Sequence, residues 1–166
     1  CDWSYGDWTK MDSVEIWNGG WDFQDETALK KWDAMLQEGK FVTAIGSSDT
    51  HSPPSMPNDY KTNLGIGSPT NFVGAKKLSQ SEILTAIKSG RVWISDLPKN
   101  YQLEFSAVVG KKRLNLGEKS DVLNQQIHLK MNAENFPIGA SVLLISNGQI
   151  IHNDKITDIK FSFENS

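Results

Sequence analysis

The chain has a single cysteine, Cys1, in 166 residues, so neither an intrachain disulfide nor a cysteine-built zinc cluster can form. That lone thiol leaves the compartment undecided. No apolar run approaches the roughly 18 residues that a membrane-crossing helix needs. Neither charge sign dominates: 17 basic residues face 20 acidic ones, a net charge of −3. A bulk attraction to nucleic acid or to an anionic membrane is therefore absent, and neither is expected as a partner. Histidine is scarce, at three. No repeat at a period of 20–50 residues appears. The first residue is not Met, and no signal-like apolar segment precedes the folded pattern, so a processed or truncated piece is expected. What is present is a globular composition, 38% hydrophobic and 22% charged, with room for one ordinary domain or two small ones.

Residues 1–98 alternate strand-like and helix-like patterns. Ser13-Val14-Glu15-Ile16-Trp17 is β-branched and aromatic and is closed by Asn18-Gly19-Gly20, which predicts a strand and a turn. Ala28, Leu29, Trp32, Met35 and Leu36 share one face at helical spacing, with Asp25 as the expected N-cap and Gly39 as the stop. Phe41–Ile45 is the next expected strand, and Asn71–Ala75 a weaker one after a Pro/Ser/Asn-rich loop. Ser79 and Glu82 have capping-box spacing. They open a helix whose apolar stripe is Ile83, Leu84 and Ile87, ended by Gly90, and a strand follows at 91–95. This β–α–β–β–α–β order predicts an α/β layout with parallel strands.

From Tyr101 onward no amphipathic helix is visible. Short runs at 101–109, 127–133, 142–146, 149–152 and 159–163 predict strands, with Ile127, Leu129 and Met131 pointing inward. Asn147-Gly148 marks a hairpin, because both residues tolerate positive φ. Residues 99–166 are therefore expected to form a small antiparallel β-sandwich-like domain, and 1–98 a separate α/β domain.

The chemistry concentrates at Gly46-Ser47-Ser48-Asp49-Thr50-His51, where an apolar strand ends. If the backbone stays extended, Asp49 and His51 point the same way, about 6.5 Å apart along the strand. A carboxylate and an imidazole can then converge on one metal ion or act as an acid–base pair. The plainer alternative is a loop in which Asp49 caps a turn and His51 is exposed. Glu15 sits among apolar residues, where an unpaired carboxylate is costly. It can orient a ligand through a hydrogen bond, or bond the turn at Asn18. Five tryptophans lie within the first 32 residues. Trp17 and Trp32 fit the core, whereas Trp3, Trp8 and Trp21 lie in loops and can line a substrate pocket. Trp93 fits strand packing. Cys1, Asp2 and Asp7 read best as loop, and His128 and His152 as structural or solvent-facing. Gly65-x-Gly67 lacks the strand-to-helix context of a phosphate loop. The lysines at 76, 77, 111 and 112, with Arg113, suit solvated turns.

Val14-Glu15-Ile16-Trp17-Asn18-Gly19, a helix, and then Ala44-Ile45-Gly46-Ser47-Ser48-Asp49-Thr50-His51 resemble the later part of a PHP (polymerase and histidinol phosphatase) domain. Leu64-Gly65, Pro69-Thr70, Leu78-Ser79, Ile83-Leu84-x-Ala86-Ile87 and Gly90-Arg91-Val92 follow in the same register. The nearest subgroup by these motifs is the CehA/McbA-like metallohydrolases. The resemblance covers 12–98, and the β-rich half by architecture alone. It implies the C-terminal portion of a distorted β/α barrel, followed by a β-sandwich. It also implies a cluster of divalent ions (zinc, manganese or iron) at the strand ends. Asp49 and His51 then fall on the family's closing Asp-x-His motif, with Asp49 as metal ligand and proton acceptor for the attacking water, and His51 as a neutral nitrogen ligand.

The family's earlier His-x-His, carboxylate and histidine motifs have no counterpart here. The resemblance thus implies a fragment of a metal-dependent hydrolase that acts on a small molecule carrying a phosphate, ester, carbamate or amide bond. Its partner would be the missing N-terminal part of the same protein. Two ligands of a site that normally has three predict weak metal binding and no hydrolysis by this chain alone. The alternative function is a non-catalytic module that binds carbohydrate or protein through the tryptophan-rich half.

Overall fold

The structure is a computed structural model describing residues 10–51, 66–97, 101–121 and 125–165. The chain divides into two compact units, Cys1–Pro98 and Lys99–Ser166. Among the described residues it is mostly β, with two helices and several small sheets, and no sheet closes into a barrel.

In the first unit, β1 (Ser13–Asn18) and β2 (Thr43–Ser47) pair in parallel, joined through α1 (Phe23–Gln37). Val14, Ile16, Ala28, Met35 and Val42 form the buried cluster, with Leu29, Trp32, Ala44 and Ile94 packed against it. The helix thus buries the face its spacing announces. Its indole at Trp32 also donates to the carbonyl of Val42 at 2.8 Å, stapling α1 to the chain entering β2. The N-cap is Asp22 rather than Asp25. The Asp22 side chain accepts from Gln24 N, and Asp25, one turn in, reaches back to the cap backbone. Gly39, at φ 76°, follows the last turn in the left-handed conformation a helix stop favours. Phe41 stays outside β2 and is 40% exposed.

The second half of this unit departs from the parallel expectation. β3 (Thr70–Val73) and β4 (Val92–Ser95) pair antiparallel, connected by α2 (Gln80–Lys88). Parallel pairing is thus limited, among the described strands, to β1–β2. Phe72 and Trp93 are directly opposed across this ladder and stack with centroids 4.2 Å apart, so Trp93 is a packing residue. In α2 the buried position is Ala86, while Leu84, expected inward, is 47% exposed. Thr43 of β2 donates its hydroxyl to the carbonyl of Ile87 at 2.6 Å, satisfying one of the helix's last acceptors.

The second unit carries a four-stranded antiparallel sheet in the order β10 (Lys160–Asn165), β7 (Ile127–Glu134), β5 (Gln102–Val109), β6 (Lys112–Asn115). A separate hairpin joins β8 (Ser141–Ser146) to β9 (Gln149–Lys155) through Asn147 and Gly148, at φ 50° and 74°. Those two positive angles suit a tight turn whose twist matches its strands. Antiparallel pairing is as expected for this half. Two details differ from expectation. Lys112 and Arg113 belong to β6 rather than to a turn, although their side chains are solvated. Ile127, expected inward, is 42% exposed at the end of β7.

Candidate functional site

β1 and β2 end side by side, and three polar side chains fix where they end. Glu15 accepts from the Asn18 amide through Oε1 at 2.7 Å and from the Ser47 hydroxyl through Oε2 at 2.6 Å. Its carboxylate therefore bonds the turn at Asn18 and also crosses to β2. Asp25, 4% exposed, accepts from the backbone N–H of Asn18 at 2.9 Å and of Asp22 at 2.7 Å. It thereby holds both ends of the loop between β1 and α1. Gly19 of that loop donates to the carbonyl of Ser47 at 2.8 Å. From the other side, the Asn71 amide donates to the Gly46 carbonyl at 2.7 Å and accepts from its N–H at 2.9 Å. A side chain here replaces a strand partner. The approach leaves no space at Gly46: a Cβ there would lie 2.7 Å from Pro69 Cγ and 3.0 Å from Ile94 Cγ2.

From this braced end the chain leads into Asp49 and His51. β2 stops at Ser47, and Asp49 adopts φ 50°, so the extended backbone expected at this point is not present. The turn nevertheless brings the pair together: His51 Nε2 lies 3.2 Å from Asp49 Oδ1, with both side chains open to solvent. That separation suits a direct ion pair. It is also slightly under the roughly 3.3–3.6 Å that separates two donors about 2.0–2.2 Å from one tetrahedral zinc ion, so a small side-chain adjustment would let both reach one ion. Between them, the Thr50 hydroxyl is buried without a hydrogen-bond partner. No group of three or more potential metal ligands occurs among the described residues. The Asp49–His51 pair alone is thus two donors, one carboxylate and one imidazole, which suits zinc, manganese or iron but does not complete a site.

Trp21 lies in the loop that Asp25 holds. It meets Trp17 edge-on at 5.1 Å, donates its indole N–H to Glu26 at 3.2 Å, and remains 42% exposed. Trp17 instead turns its N–H to the carbonyl of Gly19 at 2.9 Å. Trp3, Trp8, Cys1, Asp2, Asp7 and Gly65 lie outside the described residues. His128 is exposed on β7. His152 is half-buried, with Nε2 3.8 Å from Asp154, a pairing two residues apart that sequence reasoning passed over.

For two residues, Asp25 and Asn71, the sequence reading gives a cap and a strand position but not the bracing role. Asp25 carried a signal, since Asp22-x-x-Asp25 has the spacing of a capping box, one turn away from where the cap was placed. Asn71 carried none, because its partner lies 25 residues away in sequence.

No family model, curated protein or solved structure matches the chain.

Proposed function

We propose that this chain supplies the closing Asp-x-His ligand pair of a PHP-type, metal-dependent hydrolase site, with the remaining ligands coming from outside the described residues. The observation that carries this reading is the 3.2 Å approach of Asp49 Oδ1 and His51 Nε2 just past the C-terminal end of a parallel β–α–β pair. That is where α/β folds gather their chemistry. A distorted β/α barrel completed by further strands, with the second unit as an appended β-sandwich, is the architecture this reading entails.

A bound zinc, manganese or iron ion would supply Lewis acidity toward water and toward the substrate's phosphoryl or carbonyl oxygen. Asp49 would hold it through one carboxylate oxygen, leaving the second free to accept a proton from the attacking water. His51 would hold it through Nε2, which requires the neutral imidazole. Glu15 acts one step back, fixing Ser47 and with it the chain entering Asp49. Trp21, exposed in the loop after β1, offers an apolar surface that a small-molecule substrate could use.

The test is hydrolysis of phosphate and carboxylate esters, with manganese or zinc added, by the chain joined to the upstream part of its parent protein. Turnover that Asp49→Asn abolishes supports the reading. Absence of turnover on both ester classes overturns it. In that event the exposed Trp21 favours the second reading, a carbohydrate- or protein-binding module, and loss of glycan binding in Trp3→Ala or Trp8→Ala would support it.

A further inference from the structure

The outer face of the four-stranded sheet carries a second feature, independent of the metal reading. In register across β5, β7 and β10, Gln102 opposes Glu134, which opposes Lys160. One step further along, Glu104 opposes Asn132, which opposes Ser162. Alternate residues of a strand share a face, so these six side chains form a grid of two rows by three columns. The rows are about 6.5 Å apart along the strands and the columns about 4.8 Å apart across them. Over this grid lies an open concavity of about 290 Å³, lined by those six residues and Ala133. Its volume is close to the lower end, about 300 Å³, of small-molecule sites.

The chemistry of the lining restricts the ligand. Every side chain of the grid ends in a hydrogen-bonding group, so a wholly apolar ligand would leave those groups unpaired. Two carboxylates face one ammonium, which disfavours phosphate, sulfate and other anions. A divalent cation is poorly served as well. Glu104 and Glu134 sit on a diagonal, about 7–8 Å apart at this register. Each also already holds one donor, Glu104 the Asn132 amide at 3.1 Å and Glu134 the Lys160 ammonium at 3.4 Å, which weakens its pull on a cation but leaves lone pairs free for hydroxyl donors. What remains is a neutral ligand rich in vicinal hydroxyl groups. Carboxylates and amide oxygens accept from adjacent hydroxyls, and amide, ammonium and serine groups donate to them. The geometry points to a saccharide-binding groove on the β5–β7–β10 face of the second unit, selective for neutral glycans.

The groove has no aromatic platform in its lining, so affinity rests on hydrogen bonds that compete with water, and binding is weak. The test uses the full chain. Isothermal titration and ligand-observed saturation-transfer NMR are run with a panel of neutral tetrasaccharides: β-1,4-linked glucose, xylose, mannose and N-acetylglucosamine, and α-1,4-linked glucose. At least one should bind with Kd of about 0.1–10 mM, and Glu104→Gln and Asn132→Ala should each weaken it about tenfold or more. Lys88→Ala, outside the groove, should leave it unchanged. The near-isosteric Glu104→Gln keeps the sheet face intact, and an unaltered melting temperature confirms that the variant is folded. Three results overturn the proposal: no binding to any member of the panel, binding that survives both groove variants, or binding lost only in Trp21→Ala. The last would place glycan recognition in the first unit.

Discussion

A carboxylate buried beside a helix start is stable only if its charge is answered, and Asp25 is answered by two backbone amides and the first turn of α1. Removing it strands both amides. Asp25→Ala is therefore expected to lower unfolding free energy by about 2–4 kcal/mol in a urea titration, with Asp25→Asn, which keeps one acceptor, losing less. A change indistinguishable from zero would show that the loop after β1 is held by something other than this side chain. Gly46 presents the complementary case, in which a small residue is required by space rather than by φ. With Pro69 Cγ 2.7 Å from any added Cβ, Gly46→Ala should cost about 1–3 kcal/mol by the same titration. The side chain of Glu15 was legible in the sequence as a carboxylate needing partners. Its bond to Asn18 could be read from a spacing of three residues, whereas its bond to Ser47, 32 residues away, could not.

At the scale of elements, local signals were read well where the structure is local. The two helices, the strands β1 and β2 taken singly and the Asn147-Gly148 hairpin each follow from a periodicity, a cap or a turn that lies within the element. The α1 cap was misplaced by one turn because two aspartates, Asp22 and Asp25, compete for it and both take part. Asp22→Ala should thus destabilise by about 1 kcal/mol. Ser79→Ala at the start of α2 should cost less, because Ser79 accepts from Glu82 N at a long 3.4 Å. Both are measurable by thermal or urea unfolding, and equal losses would contradict this ranking. Strand direction was the part that could not be read. Nothing in 70–73 or 92–95 distinguishes parallel from antiparallel neighbours, since both ladders accept the same β-branched and aromatic residues. The Phe72–Trp93 stack forms only after direction and register are chosen. β6 escaped for a related reason: Lys112-Arg113-Leu114-Asn115 is charged on an edge strand, where solvated lysines guard against further pairing.

At the scale of the whole molecule, the two units carry different chemistry. The first ends its parallel strands in a pair of metal-type donors, and the second presents a polar, concave sheet face. The metal reading rests on two donors, and a site built from two is weaker than one built from three or four. The most direct measurement is therefore a calorimetric titration of the 166-residue chain with manganese and with zinc, repeated on Asp49→Asn and His51→Ala. The account predicts weak binding, with Kd of about 0.1 mM or weaker, at a single site that either substitution removes. Tight stoichiometric binding by the unaltered chain, or weak binding that both variants retain, would contradict it.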